Sequence, residues 1–173
     1  MNADDMRGLL DNTFGSNAEY REWAIGKYQE MYSLPNLQRT EDVPPRLFQH
    51  YQRGRHFVVT ATANPAGELL ITKDIAQIET EWQLPGGFVR DGEHIEDACE
   101  RIIAEQTGLR INEIEPLAVV VNKFRCHSRE LEHRGIAFLV HTTGTLSLPH
   151  NQLGAFMAQP IEQLAYSNRE IAV

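Results

Sequence analysis

The sequence predicts an α/β protein, because apolar stretches of strand length alternate with stretches whose apolar residues recur at helical spacing. The clearest strand covers residues 56–63, which are apolar and rich in β-branched side chains. The clearest helix starts at Ile95, where apolar side chains recur three and four residues apart. A chain of 173 residues with 42% apolar side chains can build one domain and an extension.

The charge of the chain narrows its possible partners. The formal net charge is −8, whereas nucleic acids and anionic membranes attract positive surfaces, which argues against a nucleic-acid partner. No apolar run reaches membrane-spanning length, and the first residues, Met-Asn-Ala-Asp-Asp, are acidic where a signal peptide would be basic. We therefore expect a cytoplasmic protein without a membrane partner.

An amphipathic helix is predicted over residues 17–32. Ser16 and Glu19 have the spacing of a capping box, and a stripe of apolar and aromatic residues follows. This stripe comprises Tyr20, Trp23, Ala24, Tyr28, Met31 and Tyr32. It would pack on its own domain or form a homodimer with a second copy, in which case the proline-bearing connector 33–46 would let the helix reach across. We divide the chain into an N-terminal extension, 1–54, and a domain, 55–173.

The remaining elements are mostly strands. Residues 47–54 show no clear preference, whereas 56–63 and 68–72 form a predicted hairpin around the turn 64–67. A short stretch, 80–84, leads into a glycine-containing loop. Two further apolar strands, 115–122 and 135–141, flank the highly charged segment 123–134, and a strand and short helix close the chain over 155–171.

The charged loop 123–134 is either a solvated hairpin tip or an overhang whose basic residues hold a phosphate group and whose glutamates include a general base.

The two cysteines have no disulfide or zinc spacing. We expect Cys99 to be buried on the apolar face of its helix and Cys126 to be a free surface thiol.

The most informative stretch is the glycine loop and helix of residues 84–109. Gly86, Gly87 and Gly92 permit close backbone approaches, and the helix that starts at Ile95 ends at Gly108, a favoured terminating residue. One face of this helix is apolar. The other face is acidic, and it carries Glu93, Glu96, Asp97, Glu100 and Glu105.

This stretch resembles the Nudix box, the 23-residue pattern G-x5-E-x7-R-E-U-x-E-E-x-G-U, where U is a bulky aliphatic residue. The matching residues of this chain are Gly87, Glu93, Arg101, Ile103, Glu105, Gly108 and Leu109. Two positions depart, because Ile102 and Gln106 stand where the family has glutamates. The resemblance extends from about residue 55 to the C-terminus and implies the family's α/β/α sandwich with a mixed β-sheet.

The resemblance also implies a site. In the family, carboxylates at i, i+3 and i+4 on one helix stripe hold Mg²⁺ or Mn²⁺ together with substrate phosphates. Here it implies a weakened metal site made of Glu105, the Gly87 carbonyl and Gln106, with Glu105 facing an open cleft. Arg101 would pair with Glu93, so that the candidate catalytic residues are Glu105, Glu93 and Arg101. The candidate substrate-binding residues are Arg55, Lys123 and Arg125.

Two functions are compatible with these residues. The first is a Mg²⁺-dependent hydrolase of the phosphoanhydride bond in a nucleoside diphosphate linked to another group, weakened by the loss of two carboxylates. The second is a non-catalytic domain of the same family that binds a nucleotide-type small molecule or a protein partner.

Overall fold

The computed structural model describes residues 18–74 and 82–158. The helices in these residues are α1 (Ala18–Tyr32), α2 (Pro45–Tyr51) and α3 (Ile95–Thr107). The strands are β1 (Asn36–Asp42), β2 (His56–Ala63), β3 (Leu69–Asp74), β4 (Gly86–Phe88), β5 (Arg110–Cys126), β6 (Arg129–Thr143) and β7 (Gln152–Met157). These elements confirm the predicted mixed α/β fold with an N-terminal helix, and the helices at 18–32 and 95–107 begin and end within a residue of their predicted positions.

Seven strands form one mixed sheet in the order β1-β5-β6-β2-β3-β7, and β4 pairs with β2 off this path. The pairs β1/β5 and β2/β6 are parallel, and the other pairs are antiparallel. One edge of β2 is shared between two partners: residues Val59 and before pair with β4, whereas only Ala63 pairs with β3. The predicted hairpin of β2 and β3 is therefore present but splayed, and the gap between the two partners opens a cleft.

Helix α1 belongs to the main core of the domain. Its Tyr20, Ala24 and Tyr28 are buried in the same cluster as Ile102 of α3 and Phe138 of β6. The N-terminal and central residues of the predicted stripe thus pack on their own chain, which is the first of the two interpretations, whereas Met31 and Tyr32 at its end are exposed. Burial of large side chains from three elements in one cluster is the main apolar contribution to stability here. Homodimer formation stays a prediction.

The segment predicted as a connector, 33–46, contains a strand, and this prediction was wrong. Residues 36–42, Asn-Leu-Gln-Arg-Thr-Glu-Asp, form β1, which pairs in parallel with β5. Most of its side chains are polar and exposed, so the local sequence has little strand character. The neighbouring residues, whose structure was ambiguous, form α2, which starts at Pro45 after the extended residue Pro44.

The charged segment 123–134 forms the end of a hairpin with a solvated tip, as one of the two interpretations predicted, but most of the residues predicted as a loop belong to its two long strands. β5 continues to Cys126 and β6 starts at Arg129, with His127 in the left-handed region at φ 55°. Phe124 and Cys126 are buried and Arg125 between them is exposed, which is the alternation of a strand with one covered face. Cys126 is consequently buried, contrary to the expected surface thiol, whereas Cys99 is buried as predicted, and both thiols are free.

The closing strand is β7, which pairs with β3 and starts three residues before its predicted position. The predicted short helix that follows lies outside the described residues, as do the capping residue Ser16 and the first two residues of the stretch 80–84. Within 18–74 and 82–158, no helix is both long enough and apolar enough to span a membrane.

Candidate functional site

Helix α3 is fixed by an apolar face and by its C-terminal residues. The buried face consists of Ile95, Ala98, Cys99, Ile102, Ile103 and Thr107. The helix ends at Gly108, which adopts the left-handed conformation at φ 68° and donates its N–H to the carbonyl of Ala104. A side chain would be strained at this φ and would meet Ser147, where a Cβ would lie 3.0 Å from the serine Cβ. The exposed face of α3 is thereby held at a fixed position beside the glycine loop.

Arg101 ties the glycine loop to this helix. Its Nε donates to Glu93 Oε1 at 2.6 Å, and its Nη2 donates to Glu93 Oε2 at 3.1 Å and to the Phe88 carbonyl at 2.9 Å. The backbone N–H of Arg90 donates to the same carboxylate at 2.8 Å. Burial alone would raise the pKa of Glu93, but the Arg101 guanidinium and the Arg90 N–H hold it below its ordinary value of 4.5. Both ends of the loop are thus anchored by one guanidinium and one carboxylate.

Helix α1 supports the same loop from the other side through a buried polar network. His56 Nε2 lies 2.8 Å from Glu22 Oε1, and Arg21 Nε donates to His56 Nδ1 at 3.4 Å. Burial lowers the pKa of His56, so the ring is neutral, with Nε2 donating and Nδ1 accepting. Arg21 also donates to the Arg90 carbonyl at 3.4 Å, and Arg134 donates to Glu22 at 2.7 Å. The N-terminal helix therefore contacts the loop directly.

A cleft of about 750 Å³ lies beside the glycine loop, where β2 parts from β3. Its lining includes the cationic side chains of Arg39, Lys73 and Lys123 and the carboxylates of Glu41 and Asp74. Aromatic side chains cover another part of the wall, and these are Tyr51, Phe57, Phe88 and Phe124. A cleft of this size with cationic and aromatic walls can hold a small molecule that carries both anionic groups and a flat ring.

The side chain by which α3 reaches the cleft is that of Gln106. Gln106 lines the cleft and donates its Nε2 to the Gly86 carbonyl at 2.9 Å. Glu105, which we expected to face the cleft, is not among its lining residues. Its carboxylate is half exposed and lies 3.6 Å from Arg90 and 3.5 Å from Arg101. The one carboxylate left among the three metal-binding positions of the box is therefore close to two arginines at the edge of the loop.

The backbone carbonyl that faces α3 belongs to Gly86, one residue before the predicted Gly87. Gly87 pairs with Val58 of β2. Two residues to either side of this pair, the Thr60 N–H donates to the Pro85 carbonyl and the Val89 N–H donates to the His56 carbonyl. The alternation of an antiparallel ladder then turns the peptide groups of Gly87 toward β2 and the Gly86 carbonyl away from it.

A family model described as the NUDIX domain matches residues 52–171, which is more than half of the chain. The chain belongs to the NUDIX domain family. This membership supports the enzyme class predicted from the sequence, a Nudix hydrolase acting on phosphorus-containing anhydrides.

Solved structures share the Nudix fold of this chain at low sequence identity. A MutT NUDIX hydrolase from Burkholderia pseudomallei is 22% identical with a TM-score of 0.55, covering 69% of this chain and 95% of that one. MutT, studied from Aliivibrio salmonicida and Vibrio cholerae, is 23% identical with a TM-score of 0.54, covering 68% and 92%. The NUDIX domain of Shewanella oneidensis NrtR, complexed with ADP ribose, is 18% identical with a TM-score of 0.55, covering 69% and 84%.

The Nudix box of this chain does not fit a resident Mg²⁺ ion. Mg²⁺ requires several oxygen ligands, with carboxylates supplying the charge. Ile102 is fully buried in the main core, Gln106 is neutral and hydrogen-bonded to Gly86, and Glu105 is paired with arginines. One carboxylate and the amide oxygen of Gln106 fit only an ion whose other ligands are substrate phosphates and water, an arrangement that is common for Mg²⁺.

A second group of potential metal ligands lies away from the box. Among the described residues, Glu113, Glu115 and His141 place ligand atoms within 4.8 Å of one another. The three residues sit on β5 and β6, both glutamates are exposed, and none of the three lines the cleft. This group therefore cannot replace the carboxylates missing from the box.

The structure brings one of the three predicted substrate-binding residues to the cleft. Lys123 lines it, whereas Arg55 lies 3.7 Å from Glu22 and Arg125 lies 3.1 Å from Glu130, both outside the lining. Arg39 and Lys73, two further cationic residues of the lining, were not predicted from the sequence. Arg39 was missed because β1 was not recognised, and its position depends on parallel pairing with β5, which local sequence does not specify.

Replacement of Glu93 by Gln tests the anchor of the loop. We expect Glu93→Gln to lower the free energy of unfolding at pH 7 by about 1–3 kcal/mol, because charge-assisted hydrogen bonds to Arg101 are lost. Since the pKa of Glu93 is lowered on folding, its contribution is complete above 4.5 and is lost as the pH falls through the folded value. The difference between wild type and variant in urea denaturation should therefore shrink below pH 4.5.

The matched control for this measurement is Glu100→Gln, which alters an exposed carboxylate on α3, the helix that carries Arg101. It should change the free energy of unfolding by less than about 0.5 kcal/mol at either pH. A difference between wild type and Glu93→Gln that is the same at pH 7 and at pH 3.5 would contradict the anchoring role of this carboxylate.

Proposed function

We propose that this protein is a Nudix-type hydrolase that cleaves the phosphoanhydride bond of a nucleoside diphosphate linked to another group. The observation that carries the proposal is the cleft itself, where cationic side chains, aromatic rings and the glycine loop of the box line one cavity. Arg39, Lys73 and Lys123 would bind the phosphates, since Lys and Arg are the usual donors to phosphate oxygens. The aromatic part of the wall would receive the flat ring of the nucleoside.

The residues of the box would serve this reaction in different ways. Arg101 and Glu93 position the loop, so that the phosphates meet a rigid backbone. Glu105 and the amide oxygen of Gln106 would hold Mg²⁺ or Mn²⁺ that arrives with the diphosphate, and when bound the ion neutralises phosphate charge. Because the protein supplies a single carboxylate, we infer weak binding of the ion in the absence of substrate. The ADP ribose bound by the NrtR domain, which shares this fold, is a compound of the proposed class.

A second function, nucleotide binding without hydrolysis, is favoured by one specific observation. The hydrogen bond from Gln106 to the Gly86 carbonyl joins the helix to the loop without any ion. Together with the burial of Ile102, this bond gives a box that is structurally complete in the metal-free protein. Such a protein would bind the nucleotide through the same cleft and leave it unchanged.

Turnover measurements separate these two functions. Wild type and Glu105→Gln are incubated with Mg²⁺ and a panel of nucleoside diphosphate compounds, including ADP ribose and nucleotide sugars, and phosphomonoester release is measured. We expect Glu105→Gln to lower kcat/KM about tenfold or more, because the ion loses its carboxylate ligand. Glu100→Gln, which changes an exposed carboxylate of the same helix, should keep the wild-type value. Background rates for all three proteins would eliminate the hydrolase and leave the binding function.

Replacement of Gln106 by Glu tests the assignment of the weak metal site. The change places a carboxylate in the cleft beside the Gly86 carbonyl, so Gln106→Glu should bind Mg²⁺ or Mn²⁺ at least about tenfold more tightly than wild type. Binding is measured by titration calorimetry without nucleotide and by the shift of Tm with the ion. Gln106→Met, which removes the amide without adding charge, serves as the control. Equal affinity of Gln106→Glu and wild type for the ion would show that this position is no metal ligand.

Neighbouring cations on β5 offer a matched test of the cleft. Lys123 lines it, whereas Arg125, two residues on, is paired with Glu130 outside it. Lys123→Ala should weaken the binding of ADP, measured by calorimetry, about five- to tenfold, because one phosphate-binding charge is lost. Arg125→Ala should leave the affinity within about twofold. The reverse order of effects would place the phosphates at the hairpin tip and not in the cleft.

A further inference from the structure

The aromatic part of the cleft contains a histidine, His133, to which the functions proposed above assign no role. His133 of β6 lines the cleft, although only 3% of the residue is exposed. Its ring lies edge-to-face against three aromatic rings, at centroid distances of 5.9 Å from Tyr51, 5.3 Å from Phe88 and 5.3 Å from Phe124. We call these four residues the aromatic pocket.

One ring nitrogen of His133 is hydrogen-bonded, and the other has no hydrogen-bond partner within the described residues. Backbone hydrogen bonding at Tyr51, where α2 ends, and at Gly54 acts to raise the pKa of the ring, which is the direction expected where the ring donates. Nε2 is buried and has no hydrogen-bond partner within the described residues, so these bonds belong to Nδ1. Burial lowers the pKa of His133, which keeps the ring neutral. A neutral ring that donates from Nδ1 has a lone pair on Nε2, and Nε2 is therefore a hydrogen-bond acceptor without a donor.

The packing around this acceptor is specific. A Cβ on Gly54 would lie 2.5 Å from the Phe88 ring, so only glycine lets Phe88 stand where it does. Tyr51 stacks on Phe124 at 4.2 Å in a small apolar cluster separate from the main core. Buried polar atoms without partners are rare in proteins, and each is a candidate contact for a ligand. The ligand that suits this one has a flat ring to pack among aromatic side chains and an N–H on its edge.

We propose that His133 recognises the nucleobase of the bound nucleotide, with Nε2 accepting a hydrogen bond from an N–H group on the edge of the base. The pocket is continuous with the phosphate-binding wall, since Lys123 precedes Phe124 on β5 and Asn122 pairs with His133 across the sheet. Because the surrounding rings bury Nε2, the base would reach it only after one of these rings turns. This inference rests on the proposed nucleotide cleft, but it does not require hydrolysis.

Binding measured in EDTA, where metal-dependent turnover is absent, tests the inference. Two pairs of ligands differ by one N–H donor: ADP against purine riboside 5′-diphosphate, and UDP against 3-methyl-UDP. Wild type should bind the member with the N–H about tenfold more tightly in at least one pair. His133→Phe, which keeps an aromatic ring and removes the acceptor, should abolish that preference and leave the affinity for pyrophosphate unchanged. His141→Phe, on the same strand but outside the cleft lining, should behave as wild type.

The two pairs make the outcome independent of whether the variant folds well, because the wild-type preference is read without any mutation. Absence of preference in both pairs for the wild type would overturn the inference, as would an equal preference in folded His133→Phe. Failure of wild type to bind any nucleoside diphosphate would also overturn it. Hydrolysis that stays at background while the preference is observed would refute only the hydrolase, so the two proposals fail separately.

Discussion

The bonds from Arg101 to Glu93 and to the Phe88 carbonyl are the interaction on which the rest of the site depends. A glycine loop has a large conformational entropy to lose, and the covalent chain alone does not fix it. One guanidinium on a helix that is buried along its other face supplies three donors in a rigid fork. Because α3 packs in the main core, this guanidinium holds the loop in a fixed position relative to that core. The α1 network, through Arg21 and the Arg90 carbonyl, completes the support from the opposite side.

Given this anchored loop, the two altered box positions acquire a consistent physical meaning. A glutamate cluster in the metal-free protein would repel itself, and an ion is needed to bring it together. Here Ile102 adds apolar area to the core, and the amide of Gln106 bonds directly to the loop carbonyl. The loop and the helix therefore stay joined without a cation. These two residues also supply none of the negative charge that would retain Mg²⁺, so under the proposed function the substrate phosphates would supply most of the ligands of the ion.

The parts of the fold that could be predicted are those determined by local sequence. The helices at 18–32 and 95–107 could be predicted from the spacing of their apolar residues. The end of the second helix could be predicted from Gly108, because glycine readily adopts the left-handed conformation that ends a helix. What could not be predicted depends on distant pairing. β1 is polar, and it forms a strand because it pairs with β5. The strands within 123–134 were not predicted because the segment is highly charged, although Phe124 and Cys126 alternate with exposed residues.

The candidate site, like the fold, could be predicted from the sequence only in part. The contact between Glu93 and Arg101 follows from a motif, so it could be anticipated, whereas the direction of Glu105 could not. On α3, residues 105 and 106 are separated by a rotation of about 100°, and the register of the helix against the sheet places Gln106, and not Glu105, in the lining of the cleft. Arg39, Lys73 and His133 were missed because each reaches the cleft from a different strand.

The wall of the cleft depends on residues that precede the family core. Arg39 and Glu41 come from β1, and Tyr51 comes from α2, while the family match starts at residue 52. These two elements are held by parallel pairing with β5 and by a small cluster around Phe48 and Phe124. The N-terminal segment thus supplies part of the charge and one aromatic ring of the cavity, in addition to a helix that covers the core. Under the proposed function, selectivity among nucleotides would then differ between relatives that share the box but differ in this segment, because Arg39 would bind phosphate and Tyr51 would contact the flat ring of the ligand.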